Sequence, residues 1–490
     1  MNKDFRKLSI ILILSVFSLG FLFIINLSFV NKSKASQYKE IENNLNLKPS
    51  GTYENITIDN FPGSWNDWEW AESQIWCSGL GTQQNPYIIQ SHTFGIDNSL
   101  DGIRISNSHE IYFKIENCTF IWDGFMRTGT ERGIYLTNST KGTIINNILY
   151  DTSNGMQIYN CEDTNVANNT IYSTMGGISL YQTNSSEVYD NRVHNTENGI
   201  SLYDSEDNLL SKNIVYNNEY GLYITHSDDN DVYGNSANDN NIAGIYLAYS
   251  DDNNITENSA SGNNDGLFLE DDCDYNYITK NNFNSNQEGI LLYYSNFNNV
   301  SNNIAKSNTY SGIILEGSNN NILLDNNLYN NTDYGIIFTV QSNLNSFVEN
   351  TVESNGDIGV YIIDLDCENN SIFGNRFLKN GLHAYDDGVN NKWNSTIIGN
   401  YWDNHTGPDE NRDGIVDIPY NYIGGTAGSI DYLPIAEKIK SGGLDPGVIV
   451  VIVVVSVLGG LALIGAVLFF LDKKGRISLE KIKNISFRKK

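Results

Sequence analysis

Residues 169–203 read NTIYSTMGGISLYQTNSSEVYDNRVHNTENGISLY, and the phrase Gly177-Ile178-Ser179-Leu180-Tyr181 returns one period later as Gly199-Ile200-Ser201-Leu202-Tyr203. The glycine recurs every 22 to 24 residues at Gly133, Gly155, Gly177, Gly199, Gly221, Gly244, Gly266, Gly289, Gly312, Gly335, Gly359 and Gly381. An Asn precedes most of these glycines by 8 or 9 residues, as at Asn147, Asn169, Asn191, Asn213, Asn235, Asn258, Asn281, Asn303, Asn326 and Asn350. A fixed period of roughly 20–50 residues marks a stacked repeat array. Within each repeat the apolar residues sit at i and i+2, which is strand spacing, with no helical i, i+3, i+4 stripe. Leucine-rich repeats share the period but need a Leu-x-x-Leu-x-Leu phrase that is absent here.

The pattern predicts an all-β fold, a right-handed parallel β-helix over about residues 96–400, each coil about 4.8 Å above the last. Ile178, Ile200, Leu222, Ile245 and Leu267 should form one interior column. An Asn column can form a side-chain ladder at a turn, and Gly supplies positive φ or a close approach at a corner. The repeats, with Gly102-Ile103-Arg104-Ile105 before them, resemble the NosD-like, pectate-lyase-like β-helix family. The phrase Gly399-Asn400-Tyr401-Trp402-Asp403, followed by Gly407-Pro408-Asp409 through Asp417 and Pro419-Tyr420, resembles the closing segment of archaeal NosD-like surface proteins. The resemblance covers roughly residues 75–435 and implies a fold more strongly than an activity.

The net charge of −28 makes nucleic acid an improbable partner. Five Cys are too few for a disulfide framework, and Cys77 with Cys118 is the only pair worth entertaining. A basic start followed by an apolar run from Leu8 to Val30 reads as a signal peptide over 1–35, or an uncleaved anchor. Residues 36–95, with Trp65, Trp68, Trp70 and Trp76, read as an N-terminal cap, since a solenoid must cover its end. Residues 401–440 read as a C-terminal cap, 448–471 as a transmembrane helix and 472–490 as a basic cytoplasmic tail. The β-helix is then extracellular on a single-pass membrane protein. Asn-x-Ser/Thr sequons such as Asn138, Asn168 and Asn184 agree with that placement.

Three patterns carry candidate chemistry. Asp409-x-Asn411-x-Asp413-Gly414-Ile415-x-Asp417 has the alternating oxygen ligands of a Ca²⁺ loop, although Tyr420 stands where an EF-hand has its bidentate Glu. Two outward aromatic columns, Tyr159/Tyr181/Tyr203 and Tyr223/Tyr246/Phe268, could accept sugar faces or simply brace adjacent coils. The acidic pairs Glu162/Asp163, Glu206/Asp207, Asp228/Asp229 and Asp251/Asp252, with Asp274, read as a solvated stripe, because no basic residue recurs beside them. Copper is not expected: four Met and six His are scattered without Met-x-Met or His-x-His. The function expected is a cell-surface binding or adhesion module toward an extracellular glycan or a surface protein. The alternatives are a polysaccharide lyase or glycoside hydrolase, and a structural envelope stalk without ligand.

Overall fold

The computed structural model describes residues 52–53, 55–96, 101–122 and 131–436. A representative coil runs Glu187–Tyr189, Arg192–His194 and Asn198–Tyr203, two short strands followed by a long one. Each strand of the coils pairs in parallel with its equivalents above and below, giving sheets of 15, 14 and 14 strands in which, among the described residues, only the opening Cys77–Ser78 pairs antiparallel, with Tyr87–Gln90. The expected interior column is present: Ile178, Ile200, Leu222, Ile245 and Leu267 are Cα partners in successive strands, and all are buried. Leu180, Leu202, Ile224, Leu247 and Leu269 form a second column beside it. Each such side chain contributes roughly 1.5–3 kcal/mol by leaving water.

The stack starts before residue 96. Ile56–Asp59 pairs with Ile103–Ser106, and Tyr87–Gln90 pairs with Phe113–Glu116. Ile56–Asp59 alternates apolar and polar residues and Tyr87–Gln90 does not, and neither carries the repeat glycine, so the periodicity does not reveal them. The short helix Trp68–Glu72, capped by Asp67, covers the first coils. Trp68 stacks on Tyr87 with centroids 4.7 Å apart and donates its indole N–H to Ser108 Oγ at 2.7 Å.

The repeat glycines have ordinary negative φ, and a close approach explains them instead. A Cβ at Gly177 would lie 2.1 Å from the Gly199 carbonyl oxygen and 2.5 Å from the Val193 side chain. Positive φ falls on polar turn residues such as Asn146, Asn168, Asp190, Asn195, Asp204 and Asp207, whose short side chains tolerate it. Gly381 stands outside the glycine column. Ile358 pairs with Leu382 and Val360 with Ala384, so His383 takes the glycine's place.

Three Asn ladders run along the turns, where the spacing from glycine indicates one. Asn147 to Asn400, Asn208 to Asn391 and Asn218 to Asn380 each pass hydrogen bonds from coil to coil. Asn191 shows the unit: its Oδ1 accepts from the backbone and side-chain N–H of Asn169, and its Nδ2 donates to Val166 O at 2.8 Å and Asn213 Oδ1 at 3.0 Å. The buried amides of the ladder are thereby satisfied, which burial demands. A Ser/Thr column, with Thr183, Ser205, Ser227 and Ser250, accompanies them.

All five cysteines are free and buried, so Cys77 and Cys118 form no bridge. Cys161 is a rung of the Ser/Thr column, where its N–H donates to Thr183 Oγ1, and Cys118 heads the first Asn ladder. Burial pushes the Cys118 and Cys161 thiols up to about 11, which makes them unreactive. The segments read as signal peptide (1–35), transmembrane helix (448–471) and cytoplasmic tail (472–490) lie outside the described residues. Among the described residues no helix is long and apolar enough to cross a membrane.

Candidate functional site

The long-strand sheet turns three side-chain columns outward, and the aromatic residues occupy two of them. The structure brings the two expected columns into one strip. Tyr181 and Tyr203 stack at 4.4 Å, Tyr203 meets Tyr223 at 5.6 Å, Tyr223 stacks on Tyr246 at 4.9 Å, and Tyr246 meets Phe268 at 5.4 Å. Tyr159 continues the strip in register with Tyr181 and is 41% exposed. Because several rings are nearly parallel and lie over one another along the solenoid axis, they turn their faces to each other and their edges to solvent. Mutual bracing therefore occupies the flat surfaces that a sugar platform would use. Burial raises the phenols of Tyr181, Tyr203 (to about 12) and Tyr223.

The third outward column precedes the repeat glycines, and its middle is acidic. Asp265, Glu288 and Ser311 are successive Cα partners, about 10 Å from first to last. Asp265 is 4% exposed, and its Oδ2 accepts only from Asn264 Nδ2 at 3.2 Å. Asp265 Oδ1 and the Ser311 hydroxyl are buried without a hydrogen-bond partner. Burial pushes Asp265 up to about 6; burial, with Asp265 and Glu316 nearby, pushes Glu288 up to about 7. Above the pair lies an apolar cluster of Ala243, Tyr246 and Ala248, against which Tyr220, Tyr223 and Phe268 pack. Reading the sequence for runs and adjacent acids passes over this column, whose members are separated by a full coil. The signal that could have found it is the shared position just before Gly266, Gly289 and Gly312.

In the acidic stripe, Glu162, Asp163, Glu206, Asp207, Asp229 and Asp252 are exposed as expected, while Asp228, Asp251 and Asp274 form a ladder. Asp251 N–H donates to Asp228 Oδ1 at 2.8 Å, Asp274 N–H to Asp251 Oδ1 at 2.7 Å, and Asn296 N–H to Asp274 Oδ1 at 2.6 Å. Asn296, Asn319 and Asn343 carry the same ladder onward. Among the acidic pairs, Asp163, Asp207, Asp229 and Asp252 hold the positive-φ positions of the turn.

Beyond the last coil, the Asp409–Asp417 loop is tied by its own side chains. Asp409 Oδ2 accepts from Gly414 N, Asn411 Oδ1 from Asp413 N, Asp413 Oδ1 from Ile415 N, and Asp417 Oδ2 from Glu410 N. Asp409 Oδ1 is buried without a partner. The loop's acids are not drawn together as a finished ligand cage. Among the described residues, the one group of three or more His, Cys, Asp or Glu with ligand atoms within 4.8 Å is Asp364, Asp366 and Cys367. Asp431 closes the first Asn ladder by accepting from Asn400 N at 2.7 Å, and it accepts the Trp402 indole N–H at 2.9 Å. Trp402 in turn stacks between Phe377 and Tyr420. An open cleft of about 690 Å³ flanks this cap, lined in part by Phe373, Lys392, Trp393, Ser395 and Tyr432.

The family described as "Periplasmic copper-binding protein (NosD)" matches residues 237–407, and that described as "Right handed beta helix region" matches residues 101–260. No curated protein matches the chain. Among solved structures, a double mutant of the periplasmic alginate epimerase AlgG is similar at 16% identity, covering 63% of this chain and 85% of that one, with a TM-score of 0.45. The A-module of the Azotobacter vinelandii mannuronan C-5 epimerase AlgE6 is similar at 14% identity, covering 62% and 88%, with a TM-score of 0.42. The Dettilon tailspike protein is similar at 14% identity, covering 62% and 63%, with a TM-score of 0.34.

Proposed function

We propose that the chain, a NosD-like right-handed parallel β-helix protein, binds carbohydrate along the outward face of its long-strand sheet and does not cleave it. The observation that supports this most is the aromatic strip from Tyr159 to Phe268. It lies along the solenoid axis at a spacing close to the length of one sugar unit, and it presents ring edges and phenolic hydroxyls rather than smooth faces. Hydroxyl and carboxyl groups beside apolar edges suit a ligand that is itself a ring with alternating polar and C–H surfaces. In this reading, the span at residues 448–471 anchors the module to the cell membrane, and the β-helix projects outside. The Asp409–Asp417 loop takes Ca²⁺ through Asp409, Asn411, Asp413, the Ile415 carbonyl and Asp417. The orphaned Asp409 Oδ1 supports that assignment, and such an ion would stiffen the cap.

The enzymatic alternative draws its support from Asp265 and Glu288, two neighbouring carboxyls pushed up to about 6 and 7. Such a pair could donate and accept a proton in glycoside cleavage. No Lys or Arg is among the groups acting on either carboxyl, which leaves the anionic transition state of a lyase without a counter-charge. A glycan array probed with the purified chain, followed by titration calorimetry on the best binder, tests the reading. Changing Tyr159, Tyr181 and Tyr203 together to Ala should weaken binding by about 1 kcal/mol or more per ring lost. Unchanged affinity would remove the strip as the site. Release of reducing ends or unsaturated products would overturn the non-cleaving half.

A further inference from the structure

The acidic column on the long-strand face is built unlike the acidic stripe and unlike the charge at the start of its own column. In the stripe Asp228, Asp251 and Asp274 accept backbone N–H groups, and Arg132, in the same column as Asp265, is held by Asp101 at 2.7 Å. Asp265 and Glu288 have neither compensation. One carboxylate oxygen of Asp265 and the hydroxyl of Ser311, both on residues at most 4% exposed, lack any partner. Buried carboxylates are ordinarily paired or bound to a cation.

The column faces outward, because its members Arg132, Asn198, Tyr220, Glu288 and Tyr334 are part-exposed while a Cβ at the following Gly266 would strike the core residue Phe283. Of the three, Glu288 is the part-exposed member, and it lies between the buried Asp265 and Ser311. The site is poor in further oxygens. The Asn263 and Asn264 carbonyls accept from the Gln287 and Glu288 N–H groups, and Ala243, Phe268, Leu291 and Ile314 line the neighbouring positions. A hard divalent cation wants about six to eight oxygens, which this lining does not offer. An organic ammonium needs only a few acceptors and gains from apolar and aromatic neighbours.

We propose that Asp265, Glu288 and Ser311 form a subsite for a protonated amino group on a carbohydrate, so that the preferred ligand is a glycan containing free amino sugars. The inference rests on the glycan-binding reading above and names its ligand class. The ammonium donates to Asp265 Oδ1 and to Glu288, one coil apart, and a hydroxyl of the same sugar reaches the Ser311 oxygen one coil further on. The sugar ring lies against the apolar cluster of Ala243, Tyr246 and Ala248, with the Tyr220 and Tyr310 rings nearby. The titratable groups coupled to the two carboxyls are Glu316 and the Tyr220 and Tyr310 phenols, none of them a cation. Binding should therefore be bell-shaped in pH, falling on the acid side as the carboxyls take protons and on the alkaline side as the amine loses its own.

Titration calorimetry at pH 7 on the full chain, with a glucosamine tetramer and with its N-acetylated counterpart, is the test. Acetylation removes the charge and keeps the ring. The glucosamine tetramer should bind about tenfold or more tighter, and Asp265→Asn should remove most of that preference. Asn occupies the same column at Asn154 and Asn198, so the variant should fold; an unchanged melting curve at pH 4 checks this. Glu187→Gln, on an exposed short strand, should leave the preference intact. Equal binding of both tetramers would overturn the amine subsite and spare the glycan reading. Binding of neither, in a chain with no glycan ligand on the array, would end both. Equal competition by spermidine or by Ca²⁺ would also overturn the inference, since it would show a general cation site.

Discussion

Asp265 and Asp431 are both buried carboxyls that burial pushes up to about 6, yet they sit in opposite surroundings. Asp431 is 0% exposed and accepts four hydrogen bonds, from Asn400 N, Asn400 Nδ2, the Trp402 indole and Leu433 N. Asp265 accepts one long bond and leaves an oxygen bare. Desolvation alone sets the direction of the shift in both, and the donors decide what the group is for. The carboxylate surrounded by donors closes a ladder; the one with a single donor keeps an oxygen for the proposed amine.

The largest effect should come from removing the satisfied acid. Asp431→Ala strands the Asn400 N–H and the Trp402 indole in the core, which should cost roughly 2–4 kcal/mol. Hydrogen exchange should show the loss first at the end of the first Asn ladder, around Asn400. If exchange there stayed slow, the contrast between the two carboxyls would lose its structural half.

Asp265→Asn should act in the opposite direction. A carboxyl whose folded pKa is raised binds more protons folded than unfolded, so stability falls as pH rises through the window between the two values. For Asp265 that window runs from its ordinary 3.8 to about 6, and for Glu288 from 4.5 to about 7. The amide removes the Asp265 share. The variant should match the parent near pH 4 and be more stable by on the order of 2 kcal/mol at pH 8, read from chemical denaturation at each pH. A variant less stable at pH 8 would show that Asp265 is held by contacts rather than kept for a ligand.

The smallest effect concerns the Asp409–Asp417 loop, intermediate between the two cases, with capped oxygens and one bare. Added Ca²⁺ should raise the melting temperature of the cap by a few degrees. Asp413→Ala should abolish that dependence. Persistence of the dependence in this variant would place the ion elsewhere, with Asp364 and Asp366 the next positions to change.

What the residues determined by themselves was everything that repeats. The glycine period, the i, i+2 apolar pairs and the Asn spacing specify coils whose neighbours are copies, so a local rule propagates unaided along the axis. The physical reason is that each coil meets almost nothing but its own equivalents. The choice between glycine's two uses, left open by the spacing, was made by packing against the next copy. The features that break the repeat needed the tertiary structure. Gly381 keeps the period while His383 holds the glycine's place, and the opening strands at Ile56–Asp59 and Tyr87–Gln90 join the sheets without the motif. Within the acidic stripe, Asp228, Asp251 and Asp274 became a ladder because their carboxyls meet backbone N–H groups one coil away, while the stripe's other acids stay solvated. Asp265, Glu288 and Ser311 became a site only through stacking, since burial and the absence of donors are properties of the neighbouring coils and not of the three residues.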